Sequence, residues 1–233
     1  MMDRPTSFAI ATPSRGLVHS RTIEAVLANS AAADIRGTGW FLTHDLPIPD
    51  CDEHVAELAL ASGAEAIWFI EEDVIPPTGA LSASLDLSTK YPVVAIDYPV
   101  GDPADSWTCL QRDPVDGTIL WCGLGCTLVR REVFETLARP WFSTMFRWVD
   151  YHNGAGWQKE LAPESNDLRY GHQDIYFGFA LREAGFRIGQ VPDMTASHAY
   201  VAEWGHQGTN VGAHKIGIRD HVIKGAWPGP INP

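Results

Sequence analysis

The run Ala66-Ile67-Trp68-Phe69-Ile70-Glu71-Glu72-Asp73 is the most informative stretch of the chain. Five apolar residues in succession suit a strand that is covered on both faces. Three carboxylates follow at once and repel one another, so something should offset them. Alternate residues of an extended chain share a face, so Glu71 and Asp73 are expected to point together and Glu72 away. Ligands of open α/β sheets gather at the carboxyl ends of strands. Two converging oxygen donors there suit a hard divalent cation, Mn²⁺ or Mg²⁺. Such a cation could bridge two phosphates and offset the charge that grows on a leaving group. The competing reading is an acidic loop in solvent. A phosphatase with an aspartyl nucleophile would need Asp where this chain has Glu71.

The segments before and after the run alternate strand and helix. Phe8-Ala9-Ile10-Ala11, stopped by Thr12-Pro13, predicts a buried strand. Val18 to Leu27 predicts a helix whose apolar side is Val18, Ile23, Val26 and Leu27. Gly39 to Thr43 predicts a second strand. Asp50 with Glu53 three residues later has the pattern of a capping box, opening a helix that carries Val55, Leu58 and Ala59 on one face. After Pro76-Pro77, a short helix from Gly79 to Leu87 leads to a strand at Val93 to Ile96. This βαβαβ order predicts an α/β fold, a mostly parallel sheet with helices on both sides.

The second half is less periodic. Thr118 to Val129 reads as one long strand interrupted at Gly123 and Gly125, and Arg131 to Leu137 as a short helix. Pro140 to Pro163 is rich in aromatic residues, Gly and His without a clear period. Gln173 to Ala184 predicts a helix with Phe177, Leu181 and Ala184 on one face, and Arg187 to Val191 a last strand. Asp174 falls in that helix's first turn, where the dipole favours a carboxylate. Facing inward with Phe177, Asp174 is a candidate general base; a capping acid is the alternative. His198, soon after the last strand, is a candidate third metal ligand or a buried structural histidine.

Composition narrows the class. The 233 residues carry 29 acidic and 17 basic side chains, a formal net charge of −12, which argues against a protein that coats duplex DNA. Apolar residues at 45% and charged residues at 20% match an ordered globular chain. No run of 18 apolar residues occurs, so no membrane span is expected. The opening Met1-Met2-Asp3-Arg4-Pro5 lacks a signal-peptide pattern, so a cytoplasmic protein (host cytoplasm if viral) with reduced Cys51, Cys109, Cys122 and Cys126 is expected. No linker or repeat divides the chain. It reads as one domain over 1–233.

Taken in order, these segments resemble a GT-A glycosyltransferase, most similar to the family 2-like enzymes and their small phage versions. Phe8 to Arg15 resembles the family's first strand and nucleoside loop. Ile67 to Pro76 resembles the strand bearing its Asp-x-Asp motif, with Glu71 in place of the first Asp. Trp121 to Arg131 resembles the Gly-rich strand before the acceptor region. Gln173-Asp174, followed by Phe177 and Gly185, resembles the Glu-Asp motif of inverting members, with Gln173 in place of Glu. His198 matches the metal-binding histidine. An Arg common before the acidic strand is replaced by Cys51-Asp52-Glu53-His54.

The resemblance implies sugar transfer from a nucleoside diphosphate, a UDP- or GDP-sugar, to an acceptor hydroxyl, with a nucleotide-binding half over 1–100, an acceptor half over 101–200 and a tail over 201–233. Asp73 and His198 would ligate Mn²⁺ or Mg²⁺, with Glu71 holding the metal or the ribose. Thr12, Arg15 and Asp45 would contact the nucleoside, Gly123 would leave room for the sugar or for a close backbone, and Asp174 would deprotonate the acceptor with inversion. A protein hydroxyl, a glycan and a hydroxylated DNA base all remain open as acceptor. Trp121, Trp141, Trp148 and Trp157 lie where the family binds acceptors. The tail, with His206 and Lys215, is expected to form an irregular lid, with a solvated extension as the alternative. Two other functions fit less of the sequence. A nucleotidyltransferase should have a basic Gly-rich loop, and Thr12 to Gly16 holds one Arg and one Gly. A non-catalytic sugar- or virion-binding module has no need of the acids and His198 together.

Overall fold

The computed structural model describes residues 2–14, 16–44, 46, 49–102, 105–143, 146–150, 157–161, 173–202 and 215–219. In chain order the elements are β1 (Ser7–Pro13), α1 (Ser20–Ala32), β2 (Arg36–Thr43), α2 (Asp50–Ala61), β3 (Ala66–Ile70), β4 (Val74–Ile75), α3 (Ala80–Leu87) and β5 (Val93–Asp97). Then follow β6 (Pro99–Asp102), β7 (Asp105–Thr108), β8 (Leu110–Arg112), β9 (Ile119–Cys122), β10 (Cys126–Arg130) and α4 (Arg131–Thr136). The last are β11 (Phe146–Asp150), β12 (Trp157–Leu161), α5 (Gln173–Glu183), β13 (Ile188–Thr195), β14 (Ser197–Ala202) and β15 (Lys215–Arg219).

The main sheet has eight strands in the order β2-β1-β3-β10-β5-β13-β9-β8. β1 is parallel to both β2 and β3, and β13 is parallel to β5. β10 runs antiparallel between β3 and β5, so those two point the same way. The result is the expected mixed α/β domain, a mainly parallel central sheet flanked by helices. β3 lies inside the sheet between β1 and β10, and all five of its residues are buried, which is why its sequence carries no polar alternation. Trp68 and Phe69 are among the largest fully buried side chains, and Phe69 packs on Phe134 and Phe142. Burial on this scale contributes roughly 1.5–3 kcal/mol per large apolar side chain.

Several expectations need correction. The buried face of α1 is Thr22, Val26 and Asn29, whereas Leu27 is 56% exposed. The reason is Asn29: its side-chain amide donates to the carbonyls of Ala25 and Pro77, and its Oδ1 accepts from Leu81 N, so a polar residue joins α1 to α3. The capping box at α2 does not form. Pro49 precedes the helix without a side-chain cap, and Glu53 accepts instead from Arg139 and from the backbone N–H groups of Trp141 and Phe142. The stretch Thr118 to Val129 is two strands, not one. β9 pairs with β8 and β13 while β10 lies between β3 and β5, and Gly123-Leu124-Gly125 carries the chain across. Within the aperiodic region, β11 and β12 form an antiparallel hairpin. His198 lies in a strand, β14, which pairs antiparallel with β4 and with β15.

No described helix is long and apolar enough to cross a membrane. The four cysteines are free and buried, and burial raises the thiol pKa of each, to about 12 at Cys51 and Cys122. They behave as small core residues.

Candidate functional site

The three acids at the end of β3 do not continue as an extended strand. Val74 N–H donates to the Glu71 carbonyl, closing a turn between β3 and β4. The alternation expected of Glu71, Glu72 and Asp73 is therefore lost, and all three line one cavity of about 300 Å³. Pro13 and Ser14, at the end of β1, form another part of its wall, so the cavity opens at the carboxyl ends of parallel strands. Glu72 is spoken for inside the protein. Its Oε2 accepts from Ser14 Oγ at 2.7 Å and its carbonyl accepts from His19 N–H at 2.8 Å, which ties the loop after β1 to this turn.

The register of β4 with β14 brings in the histidine. His198 lies opposite Val74, and Ala199 N–H donates to the Asp73 carbonyl at 2.7 Å. His198 Nε2 then stands 3.4 Å from Asp73 Oδ2. On its other side the ring faces the Pro99 carbonyl at 2.9 Å. A carbonyl can only accept, so Nδ1 carries the proton and Nε2 is the nitrogen left for the site. Burial works against a charged imidazole here, but the hydrogen bond and charge of Asp73, with help from Glu71, hold His198 above its ordinary pKa. Glu71 is pushed up to about 8, first by desolvation and then by Asp73, Asp52 and Asp174; His198 alone opposes this. Burial and mutual repulsion thus hold Glu71 and Asp52 toward their protonated forms.

Asp174 enters from the first turn of α5. It lines a smaller neighbouring cavity of about 190 Å³ with Tyr98, Gln111, Trp121 and Gly123, while Gln173 beside it lines the larger one. Burial raises Asp174 to about 6, against the lowering effect of the Ile175 N–H that it accepts. Gly123 and Gly125 are required by Tyr98. A Cβ on Gly123 would meet the Tyr98 hydroxyl at 2.2 Å, and one on Gly125 would lie 2.7 Å from it. That hydroxyl accepts from Gly125 N–H at 3.0 Å, and the Tyr98 ring packs edge-on to His198. The space next to these glycines, expected for a sugar, is filled by a side chain that buttresses the histidine.

Of the residues predicted for the site, Glu71, Asp73, His198, Asp174 and Gly123 come together around these adjoining cavities. Thr12 does not face them. It is fully buried, and its hydroxyl accepts from Trp40 Nε1 at 2.9 Å; Ser14, two residues on, takes the place at the cavity. Arg15, Asp45 and His206 lie outside the described residues, as do the side chains of Trp148, Trp157 and Lys215. Trp141 packs on Phe134 in the core, away from both cavities, and Trp121 lines the smaller one. Beyond the end of β14, the described part of the tail is β15, whose Arg219 stands opposite His198 in the strand register. Among the described residues, no three His, Cys, Asp or Glu side chains group closely enough to hold a metal ion by themselves.

Two polar residues that were assigned no role from the sequence also reach the site. Asp52, in the first turn of α2, and Gln173 both line the larger cavity. The signal for Asp52 was present: it precedes Val55, Ala56 and Ala59 by three, four and seven positions, so it shares their buried helix face. A larger hollow of about 790 Å³ lies where β13 begins, lined by Arg112, Arg182 and Arg187 among others, and holds none of the predicted residues.

Neither the comparison with protein-family models nor that with curated proteins gives a match. Among solved structures, the chain is similar to A197 from STIV, with 20% identity, a TM-score of 0.53, and coverage of 82% of this chain and 84% of that one. It also aligns with a candidate nucleotide-diphospho-sugar transferase from Desulfovibrio desulfuricans G20, at 11% identity and a TM-score of 0.41, covering 82% of this chain and 80% of that one. At these identities the likeness to A197 concerns the fold.

Proposed function

We propose that this protein is a GT-A-like glycosyltransferase that moves a sugar from a nucleoside diphosphate to an acceptor hydroxyl, with inversion. The observation that carries the reading is the meeting of Asp73 and His198, from separate strands, beside Asp174 at the carboxyl end of the sheet.

The donor set suits a divalent cation. With Nδ1–H given to Pro99, a neutral His198 presents its Nε2 lone pair toward the Asp73 carboxylate. Two lone pairs facing each other need a proton or a cation between them, and a backbone carbonyl on the far nitrogen is the usual support of a metal-binding imidazole. Two protein ligands suffice where phosphate oxygens and water supply the rest, as is common for Mg²⁺. Asp73 and His198 would hold Mn²⁺ or Mg²⁺, and Glu71 would add charge beside them. When bound, the ion supplies charge neutralisation for a diphosphate leaving group.

The protein's own part in the reaction follows from Asp174. Its carboxylate accepts the proton of the acceptor hydroxyl while the hydroxyl oxygen forms a bond to the anomeric carbon. The bond from that carbon to the diphosphate oxygen breaks, and its electron pair leaves with the diphosphate. A base with a pKa near 6 is stronger than an ordinary Asp and still ionised at neutral pH. Attack from the side opposite the leaving group gives inversion. Ser14 and Glu72 hold the loop after β1 against this corner, which positions the nucleoside side of the cavity.

A thermal-shift and calorimetric screen of UDP, GDP and their hexose conjugates, with and without Mn²⁺, tests the reading. Binding that needs the ion and disappears in Asp73→Asn is expected; binding of none of them rejects it.

A further inference from the structure

The hollow of about 790 Å³ lies toward the opposite end of the sheet from the acids of the candidate site. β13 runs parallel to β5, and β5 points the same way as β3. The hollow gathers around residues 185–190, where β13 begins, whereas the cavity of the acids opens where β1 and β3 end. The two have no described lining residue in common.

Three arginines reach this hollow from separate parts of the chain: Arg112 at the end of β8, Arg182 in α5 and Arg187 just before β13. Their meeting reverses the local sign of a chain with 29 acidic and 17 basic side chains. Arg112 is held by neutral groups, donating from Nη1 to the Gly117 carbonyl at 3.1 Å and from Nη2 to Gln190 Oε1. These bonds fix the guanidinium and leave its charge unmatched. Arg182 Nη2 stands 3.7 Å from Asp113 Oδ2, beyond hydrogen-bond length, and its side chain is 60% exposed. Arg187 meets Asp116 through charge, without a hydrogen bond to any described residue. Asp116 and Asp193 are the acids of the lining. Asp116 uses Oδ1 on its own turn, accepting from Thr118 N–H at 2.9 Å and from Thr118 Oγ1 at 2.6 Å. Asp113 does the same with Val115 N–H at 2.8 Å.

The chemistry of the hollow selects an anion. Guanidinium forks match the oxygens of a phosphate, two donors to one group. The volume falls within the range of small-molecule sites, about 300–1,000 Å³, and exceeds what one phosphate fills. Three cations in such a space suit phosphates linked to one another. A long nucleic acid would extend past the hollow into the field of a chain with a formal charge of −12, whereas a compact polyanion meets the arginines alone. A peptide of acidic residues spreads its charge along the backbone and gives each arginine less of it.

We propose that Arg112, Arg182 and Arg187 form a metal-independent binding site for a small molecule bearing two or more linked phosphates, separate from the cavity of Asp73 and His198. The site does not rest on the glycosyltransferase reading.

Isothermal titration in EDTA would use sodium tripolyphosphate and ATP as probes, beside an oligoglutamate peptide and a short oligothymidylate. The proteins are wild type, Arg182→Gln, Arg187→Gln and Asp73→Asn, with circular dichroism to check folding. Both arginines are exposed, so their variants should keep the fold. Metal-free binding of tripolyphosphate, ATP or both is expected, and the tighter probe names the source, a free polyphosphate or a nucleotide. Affinity should fall about tenfold in each arginine variant. It should stay within about twofold of wild type in Asp73→Asn, which lies in the other cavity. Failure of wild type to bind either probe overturns the proposal, as does an affinity that either arginine variant leaves unchanged. An equal loss in Asp73→Asn would assign the anion to the cavity of the acids and overturn it too. So would oligoglutamate bound as tightly as the phosphates, which would remove the selection for phosphate. Oligothymidylate bound tightest of all would make the arginines part of a nucleic-acid surface and reject a small-molecule site.

Discussion

His198 Nε2 stands 3.4 Å from Asp73 Oδ2 because β14 pairs with β4, the two-residue strand that directly follows the acidic turn. The backbone therefore sets the pair, with Ala199 N–H donating to the Asp73 carbonyl and Pro99 fixing the ring. A contact built this way survives substitution of either side chain, so the chemical role of each can be removed while the register stays.

Asp73→Asn keeps the shape and removes the charge. Release of nucleoside diphosphate from a donor sugar should fall by more than about 100-fold, as for loss of a metal-site group. The far-ultraviolet circular dichroism should be unchanged. His198→Gln should behave alike and also shift the Mn²⁺ requirement to higher concentration.

Asp174 gives a pH prediction. Its pKa is raised to about 6 by burial, so transfer should decline as pH falls through about 6, when the base becomes protonated. Asp174→Asn should remove that limb and lower turnover about 10²- to 10⁴-fold, with donor affinity unchanged. A pH–rate profile with an acid limb near 4 would contradict the assignment.

Asp52 makes stability depend on pH. Burial first, then Asp174 and Glu53, raise its pKa to about 8 from 3.8. Below pH 3.8 both folded and unfolded chains hold the proton and the group costs nothing. As pH rises toward 8, the unfolded chain ionises while the folded one must keep its proton, so stability is lost across that window. Without divalent cation, Asp52→Asn should melt higher than wild type at pH 7.5, by about 2–4 °C per kcal/mol recovered. The two should converge near pH 4.

Gly123→Ala drives a methyl into the Tyr98 hydroxyl, which the Gly125 N–H holds in place. Overpacking of this kind costs about 1–3 kcal/mol. Denaturant unfolding should show the loss, and because Tyr98 supports His198, cation affinity should fall with it.

The nucleotide-side half of the fold was legible because its signals are local. Ala66 to Ile70 is apolar at every position, and β3 has those same limits. The β2-β1-β3 part of the sheet follows from such runs and from the handedness of βαβ units. Where long-range contacts decide, the sequence was silent. Nothing near Glu53 tells of the backbone N–H groups of Trp141 and Phe142, which draw it away from the helix cap. Gly123 and Gly125 look like an interrupted strand until Tyr98 occupies the gap. The sequence singled out Asp73, His198 and Asp174 because each stands beside an element end, and the fold places them around neighbouring cavities. Thr12 was misplaced by two positions, because β1 runs on through Pro13 and buries it under Trp40.

One assay bears on the whole account. Purified protein would be incubated with UDP- and GDP-hexoses, with Mn²⁺ or with EDTA, and free nucleoside diphosphate measured over time. The account requires slow release with Mn²⁺, none with EDTA, and none from Asp73→Asn under either condition. Equal release from wild type and Asp73→Asn, or no release and no binding of any donor, would contradict it.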